Sequence, residues 1–155
     1  MSYIKLGTII VLILVLIVQL FPSSIYQNLG PLYRIKRMQE KTILEMKSSP
    51  QAKADYLIYL LEQRAREIEQ MILSRNFEYT LESSLRYSST AGQLTEMVSQ
   101  NDLNDKKQII LQIFNTHKTR FKPLLDHFPM DNTERKYLED DTNYLTIYAD
   151  QLTKP

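Results

Sequence analysis

The chain has 155 residues, which is enough for one domain and a short appendage. It contains no cysteine, and this excludes disulfides, thiolate metal sites and a cysteine nucleophile. The formal net charge of +1 gives no overall field that favours nucleic acid, and 3 glycines and 6 prolines are too few for the many tight turns of an all-β chain.

The first predicted element is a hydrophobic segment, residues 6–21, which reads LGTIIVLILVLIVQLF and carries no charge. Burying such a run in lipid is favourable, because each Leu, Ile or Val at a helix centre contributes about −0.3 to −0.6 kcal/mol. A spanning helix needs about 20 residues, and Tyr3, Ile4 and a snorkelling Lys5 extend the run towards that length. We therefore predict a transmembrane anchor over residues 1–21.

Two other interpretations of this segment are open. A cleaved signal peptide needs small residues in an A-x-A-like pattern, and Phe21 or Pro22 two residues before a cut at Ser23 or Ser24 matches that pattern poorly. A buried core helix is disfavoured, because the run is terminal and apolar on every face. The orientation also stays open, since later cations favour a cytoplasmic C-terminus, whereas Lys5 before an apolar run resembles an export signal.

Residues 22–30, PSSIYQNLG, form a predicted juxtamembrane linker, because proline, serine and glycine break the helical periodicity. Residues 31–155 are then predicted to form a helical domain, an antiparallel bundle of about five helices. The first helix begins at Gly30-Pro31, where proline at the first position loses no hydrogen bond. Its apolar stripe holds four residues, Leu32, Ile35, Ile43 and Met46.

A second helix is predicted from Pro50 to about Arg75-Asn76, with Ser49 as its cap. Its apolar stripe holds Leu57, Leu60, Leu61, Ile68, Met71 and Ile72.

The third helix is predicted over roughly residues 77–99, and small side chains occupy much of its apolar face. That face reads Phe77, Leu81, Ser84, Ser88, Ala91, Thr95 and Val98. Small residues let another helix approach closely, so we predict tight packing along this face.

The polar turn at residues 101–105 is predicted to supply the N-cap of a fourth helix, and Pro123 is predicted to kink or split that helix. Asp131 with Glu134 three residues later resembles a capping box, so a fifth helix is predicted to run towards Leu152. The side chains predicted to point inward from these two helices are Ile110, Ile113, Phe114, Phe121, Leu124, Leu125, Phe128, Tyr137, Tyr144, Leu145, Tyr148 and Leu152.

Three short motifs lie in the first two predicted helices. They are PLYxxKRxxEK from Pro31, SPxxKA from Ser49 and LLxxRxxE from Leu60. Over about residues 25–100 these motifs resemble a bacterial family of exported or membrane-tethered helical proteins, domain of unknown function 5667. The resemblance implies a helical domain outside the cytoplasm, and it implies no enzyme activity.

Arg64 falls in the middle of the apolar stripe of the second helix. An isolated buried charge is costly, so we predict that a carboxylate holds its guanidinium. Asp141, inside the stripe of the fifth helix, is the first candidate, and Glu40 and Glu67 are the alternatives. Such a pair either fixes helix register alone or marks an anion-binding arginine.

His117 falls mid-stripe between Phe114 and Phe121. A lone histidine on an apolar face is usually a hydrogen-bonded core residue, and the alternative is a pH sensor. His127 lies about 80° from that face at 100° per residue. With no cysteine and no ligand-spaced carboxylate, we predict no metal site and no cofactor.

Tyr33, Arg34, Lys36 and Arg37 follow the linker directly, and they are candidates for contact with a membrane surface or a partner. The alternative is a solvated basic helix start. Charge also divides along the chain: residues 31–75 hold nine Lys/Arg and six Asp/Glu, whereas residues 76–155 hold nine and twelve. Such runs usually mean solvated faces.

We find no nucleophile elbow, no HExxH zinc motif, no P-loop and no dinucleotide-binding glycine pattern, so we predict that the protein is not an enzyme. The predicted function is a single-pass membrane protein of the cell envelope whose helical domain, outside the cytoplasm, binds proteins or supports an assembly. The alternative is a ligand, anion or stress sensor with a pocket around Arg64 and His117, and a wall-active hydrolase comes third. The predicted partners are the lipid bilayer and a protein or a second copy, without nucleic acid.

Overall fold

The computed structural model describes residues 30–154, which form five α-helices. The helices are α1, Gly30–Met46; α2, Pro50–Leu73; α3, Thr80–Gln100; α4, Asn104–Leu124; and α5, Glu134–Thr153. Two 3-10 turns, Phe77–Tyr79 and Leu125–His127, precede α3 and follow α4. Residues 30–154 contain no strand, so the all-α prediction is confirmed for this part of the chain.

The predicted anchor, residues 1–21, and the predicted linker up to residue 29 lie outside the described residues. Among residues 30–154, no helix combines the length and the apolar character needed to traverse a bilayer. The side chains of Pro31, Leu32 and Tyr33 also lie outside the described part.

α1 crosses the boundary between two compact units of the chain, which falls between Ile43 and Leu44. Its predicted inward stripe is wrong at two positions, because Ile35 and Met46 are exposed. Within the second unit, Leu44 packs against the hydrophobic core instead.

The second unit contains the hydrophobic core, which is built from α2–α5. The predicted stripe of α2 is confirmed, since all six of its side chains are buried. Each large apolar side chain that is fully buried contributes about 1.5–3 kcal/mol. The other helices add Tyr87, Ala91, Leu94 and Val98 from α3, Ile110, Phe114, Phe121 and Leu124 from α4, and Leu138, Leu145 and Leu152 from α5.

α2 and α3 pack as an antiparallel pair. The Glu67 carboxylate accepts a hydrogen bond from Arg86 at 3.4 Å, and one turn further along α2 the Met71 sulfur accepts one from the earlier residue Ser83 at 3.8 Å. Residue numbers that rise on one helix while they fall on the other define this direction.

α2 and α4 run in the same direction. Asp55 accepts a hydrogen bond from Lys106 at 2.6 Å, and further along both helices Glu62 contacts His117 at 2.7 Å. Successive contacts therefore rise in residue number on both helices.

α3 and α5 also run in the same direction. The Ser84 hydroxyl donates to the Tyr137 carbonyl oxygen at 3.1 Å, and further along a Cβ atom added at Gly92 would lie 2.9 Å from the Tyr148 hydroxyl oxygen. The predicted antiparallel arrangement is thus seen directly in the α2–α3 pair, and helices two apart in sequence share a direction, as they do in any bundle whose successive helices alternate.

The ends of the helices differ from the predictions at two positions. Ser49 caps α2 as predicted, since its hydroxyl accepts a hydrogen bond from the Ala52 amide at 3.2 Å. At α5, however, the Glu134 amide donates to the side chain of Asn132 at 2.7 Å, so the capping box predicted at Asp131 is wrong. Pro123 lies in the last turn of α4, which ends at Leu124 and passes into the 3-10 turn Leu125–His127, so the predicted break in the helical run lies close to this proline.

Residues 101–103 end α3, and no side chain among them caps α4. Asp102 has φ 50°, and the Leu103 amide donates to the Val98 carbonyl at 3.0 Å, which is the pattern of a Schellman motif. Leu103 itself is buried and makes no side-chain cap at the start of α4. The predicted N-cap is therefore wrong, because the polar residues close the preceding helix.

Candidate functional site

A buried histidine links three helices of the second unit. α4 places His117 between Phe114 and Phe121, and its side chain is only 1% exposed. One ring nitrogen, Nδ1, lies 2.9 Å from the hydroxyl of Tyr87 on α3. The other, Nε2, lies 2.7 Å from a carboxylate oxygen of Glu62 on α2. The prediction that His117 is a hydrogen-bonded core residue is therefore confirmed.

The environment fixes the protonation state of this site. Burial lowers the pKa of His117, and its hydrogen bond to Glu62 offsets that effect only in part. Burial also raises the pKa of Tyr87 well above its ordinary value. A neutral His117 therefore donates through Nε2 to Glu62 and accepts at Nδ1 from the Tyr87 hydroxyl.

Glu62 stays ionised because it has several donors. Burial alone would raise the pKa of Glu62, but the hydrogen bonds from His117 and Arg120, together with the charge of Arg120, outweigh burial and lower it. Arg120 donates to Glu62 at 2.9 Å and to Glu69, one heptad along α2, at 2.7 Å. We call the five side chains of Tyr87, His117, Glu62, Arg120 and Glu69 the Tyr–His–Glu network.

This network runs from the core towards solvent. Tyr87 is fully buried, whereas the side chain of Glu62 is 37% exposed and that of Arg120 is 26% exposed. Between Tyr87 and Arg120, both ring nitrogens of His117 and both carboxylate oxygens of Glu62 contact other protein groups. The network can hold the imidazole proton between His117 and Glu62. Both ring nitrogens of His117 contact protein groups, so neither is placed to contact a substrate.

Arg64 does not pair with Asp141, the first partner predicted for it. Its guanidinium donates to the main-chain carbonyl of Arg86 at 3.1 Å. Glu67, one of the alternative partners, forms a buried ion pair with the Arg86 side chain at 3.4 Å. Arg64 therefore contacts the residue next to Tyr87, and α3 brings the surroundings of Arg64 and His117 together.

Asp141 is a buried carboxyl group on α5, only 1% exposed. Neither of its oxygens accepts a hydrogen bond from the described residues. Burial raises the pKa of Asp141 to about 8, the nearby Ser84 hydroxyl lowers it, and the charge of Asp140 raises it. The Ser84 hydroxyl donates to the Tyr137 carbonyl oxygen instead, and the raised pKa keeps Asp141 protonated, and therefore neutral, near pH 7.

Five residues of these sites were absent from the sequence prediction: Tyr87, Glu62, Glu69, Arg120 and Arg86. Two patterns could have indicated them. Arg120 follows His117 by three residues and so shares its side of α4, and Glu62 and Glu69 stand one heptad apart on α2. Arg86 had a weaker signal, because it lies off the small-residue face of α3.

The basic residues at the start of α1 are arranged as follows. Arg34 and Arg37 are exposed, Lys36 is partly buried, and the side chain of Tyr33 lies outside the described part. Among residues 30–154, no group of three histidine, aspartate or glutamate side chains is placed to hold a metal ion.

A surface along α3 and α5 exposes large apolar side chains, and we call it the α3–α5 face. Tyr148 lies at the seam, where it meets Gly92 and stacks on Tyr144 with ring centroids 6.1 Å apart. Leu85 precedes Gly92 by one heptad and so shares its side of α3. The exposed members are Leu81 at 42%, Leu85 at 57%, Tyr144 at 45% and Ile147 at 49%. Leu81 and Tyr144 were predicted to point inward, and that prediction is wrong.

Comparison with known proteins places this chain in a family. The family model described as a domain of unknown function, DUF5667, matches residues 30–123, which is more than half of the chain. The chain belongs to the DUF5667 family. This confirms the resemblance seen in the motifs, and the match extends beyond residue 100 into α4. No curated protein and no solved structure shows significant similarity to the chain.

Some of the sites described above lie within the residues that the DUF5667 family model matches, and others lie outside them. The whole Tyr–His–Glu network lies inside residues 30–123, as do Arg64, Arg86 and the α3 half of the α3–α5 face. Asp141 and the aromatic side chains of α5 lie outside the matched residues. The network therefore lies in the part of the chain that the family model matches, and Asp141 lies outside it.

Proposed function

We propose that this DUF5667 protein is a non-catalytic, membrane-tethered domain of the cell envelope that binds another protein through the α3–α5 face. The observation that carries the proposal is the exposure of Leu85 on α3 and of Tyr144 and Ile147 on α5, two helices that meet at Gly92 and Tyr148. Exposed apolar side chains that lie together mark contact surfaces more often than they mark solvated ones. Aromatic residues such as Tyr144 and Tyr148 are also enriched at protein interfaces.

The Tyr–His–Glu network supports a structural role for the buried polar residues. His117 uses both ring nitrogens within the protein, and the raised pKa of Tyr87 keeps its hydroxyl protonated. A catalytic base must reach the proton that it abstracts, so a histidine held on both sides is poorly placed for that task. We therefore assign the network to helix register and the α3–α5 face to binding.

The tether is proposed from the sequence of residues 6–21, whose uncharged apolar run favours lipid. The side of the membrane is proposed from the resemblance to exported or tethered relatives. Carbonate extraction of membranes tests the tether, and protease treatment of intact cells or spheroplasts tests the side. Recovery of the full chain in the carbonate supernatant would contradict the tether, and protection of the helical domain from external protease would contradict the side.

Affinity purification of the full chain tests the binding face directly. Leu85→Asp places a charge on the exposed face, and we expect it to remove the bound protein. Asn115→Asp, at an exposed position on α4, is the matched control and should retain that protein. Equal recovery of the same protein by both variants would contradict the proposal, provided that both keep wild-type thermal unfolding.

A second function, sensing of an anion or of pH, is supported by one observation. Arg64 and His117 contact the consecutive residues Arg86 and Tyr87 on α3. A ligand that binds only the folded state raises its stability. If phosphate or sulfate raises the unfolding temperature of the wild-type protein but not that of Arg64→Leu, the sensor is favoured. If neither anion changes the unfolding temperature of the wild-type protein, the sensor is contradicted and protein binding remains the proposed function.

A further inference from the structure

The α3–α5 face has a consistent charge as well as exposed apolar side chains. On α3 the only basic residue is Arg86, which is buried in its pair with Glu67. The charged side chains exposed on α3 are Glu82 and Glu96. On the outward side of α5, Asp150 is exposed and Asp140 is partly buried, with Lys136 as the single exposed cation. The face therefore combines apolar contact area with a net negative rim.

The first turns of α1 have the opposite charge and the same apolar character. Ile35 and Met38 are three residues apart and share one side of the helix. Ile35 is 45% exposed and Met38 is 71% exposed. Arg34 and Arg37 precede them by one residue each and are exposed as well. We call these four residues the α1 face.

From this complementarity we propose that the occupant of the α3–α5 face is the α1 face of a second copy of the chain. The proposal rests on the binding function proposed above and names its partner. Because one chain carries both surfaces, two copies related by a two-fold axis can form the contact twice. Ile35 and Met38 then cover apolar area around Leu85 and Ile147, and arginines meet acidic side chains at the rim.

Charge reversal provides a test in which each variant is the other's control. In Arg34→Glu/Arg37→Glu the α1 face becomes acidic, and in Glu82→Lys/Glu96→Lys the rim of the α3–α5 face becomes basic. Each variant alone brings like charges together, so each should be monomeric as full chain in detergent. An equimolar mixture restores opposite charges at both contacts, so it should form dimers with roughly tenfold or greater tightening over either variant alone.

Light scattering, with the detergent contribution subtracted, measures the protein mass and therefore the number of chains per particle in each sample. A dimeric wild-type chain, two monomeric variants and a dimeric mixture support the proposal. A wild-type chain that stays monomeric at every concentration overturns it, as does a mixture that stays monomeric while the wild type dimerises. Circular dichroism of each variant confirms that the helices are retained.

Cysteine crosslinking gives a second measurement that does not depend on charge. The chain has no cysteine of its own, so Met38→Cys in one copy and Leu85→Cys in another report one contact. We expect a mixed disulfide between these two variants and little product between Met38→Cys and the control Asn115→Cys. Equal yields with both would overturn the proposal.

Two further outcomes separate this proposal from its alternatives. If Leu85→Asp releases a different protein while the wild-type chain is monomeric, the binding function stands and the second copy is excluded. If Arg34→Glu/Arg37→Glu loses binding to anionic vesicles but stays dimeric, the α1 face contacts lipid headgroups and the proposed contact is wrong.

Discussion

The buried titratable side chains of the second unit have different surroundings. His117 has a hydrogen-bond partner at each ring nitrogen, so its neutral form is fully satisfied. Arg86 and Glu67 neutralise each other at 8% and 6% exposure. Asp141 has neither arrangement, and it avoids an uncompensated charge by keeping its proton.

The state of Asp141 predicts a pH dependence. Its pKa is about 8 in the folded protein and near 3.8 when exposed in the unfolded chain. Folding therefore favours the protonated form. The stability from this group is fully present below pH 3.8, declines as pH rises, and is lost above pH 8. The slope between these limits is at most about 1.4 kcal/mol per pH unit.

Asp141→Asn removes this titration while it keeps the size of the side chain. We expect the variant to gain free energy of unfolding over wild type as pH rises from 5 to 8. Urea denaturation at several pH values measures the difference. A difference between wild type and Asp141→Asn that is independent of pH would contradict the raised pKa.

The Tyr87–His117 hydrogen bond predicts a coupling that can be measured. Tyr87→Phe leaves Nδ1 of His117 without its donor, at a cost of about 1–3 kcal/mol, and His117→Leu leaves the buried Tyr87 hydroxyl without its acceptor at a similar cost. In the double variant both polar groups are gone. We therefore expect the double variant to lose less stability than the sum of the single variants, by about 1 kcal/mol or more.

Urea denaturation of the four proteins gives this coupling energy. Strict additivity of the two substitutions would show that the 2.9 Å contact contributes nothing to folding.

At the level of the helices, the start of α2 was the end that the sequence predicted best. Ser49 before Pro50 is a strong start signal, and the structure has it. Residues 101–105 were harder, because polar residues between two helices can end the first or begin the second. Leu103 shows that these residues end the first helix, because its side chain is buried and its amide donates to the Val98 carbonyl at the end of α3.

The end of α2 predicts a stabilising substitution. Arg75 has φ 57°, and the amides of Arg75 and Asn76 donate to the Ile72 and Met71 carbonyls, each at 3.0 Å. This is the Schellman position that glycine occupies at no steric cost. We expect Arg75→Gly to raise stability by about 0.5–1 kcal/mol, because it removes the strain of a side chain at positive φ.

Arg75→Ala is the control for this prediction, because it removes the exposed charge but keeps the strained Cβ. Thermal unfolding of both variants separates the two effects. If alanine stabilises the protein as much as glycine does, the gain does not come from the backbone.

The arrangement of the whole second unit was only partly predictable. Periodicity identifies which side of each helix is apolar, and this gave the all-α class and the core of α2. It carries no information on which helices become neighbours. The parallel pairing of α2 with α4 depends on contacts such as Glu62 with His117, 55 residues apart, and no local pattern encodes their meeting.

The same limit explains the exposed residues of the α3–α5 face. Leu81 and Tyr144 lie on apolar stripes, so sequence periodicity places them inward. In the structure the core is filled by neighbours such as Leu138 and Leu145, which leaves the stripe edges at the surface. An apolar stripe wider than the core needs is itself a sign of a further contact.

Photo-crosslinking in intact membranes tests the α3–α5 face most directly. A photoreactive amino acid at position 85 of the full chain should give a discrete crosslinked species, either with a second copy or with another protein. The same amino acid at position 115 should give none. If position 85 gives no product, or if both positions give the same products, then Leu85 does not lie at a protein interface and the proposed binding function is wrong.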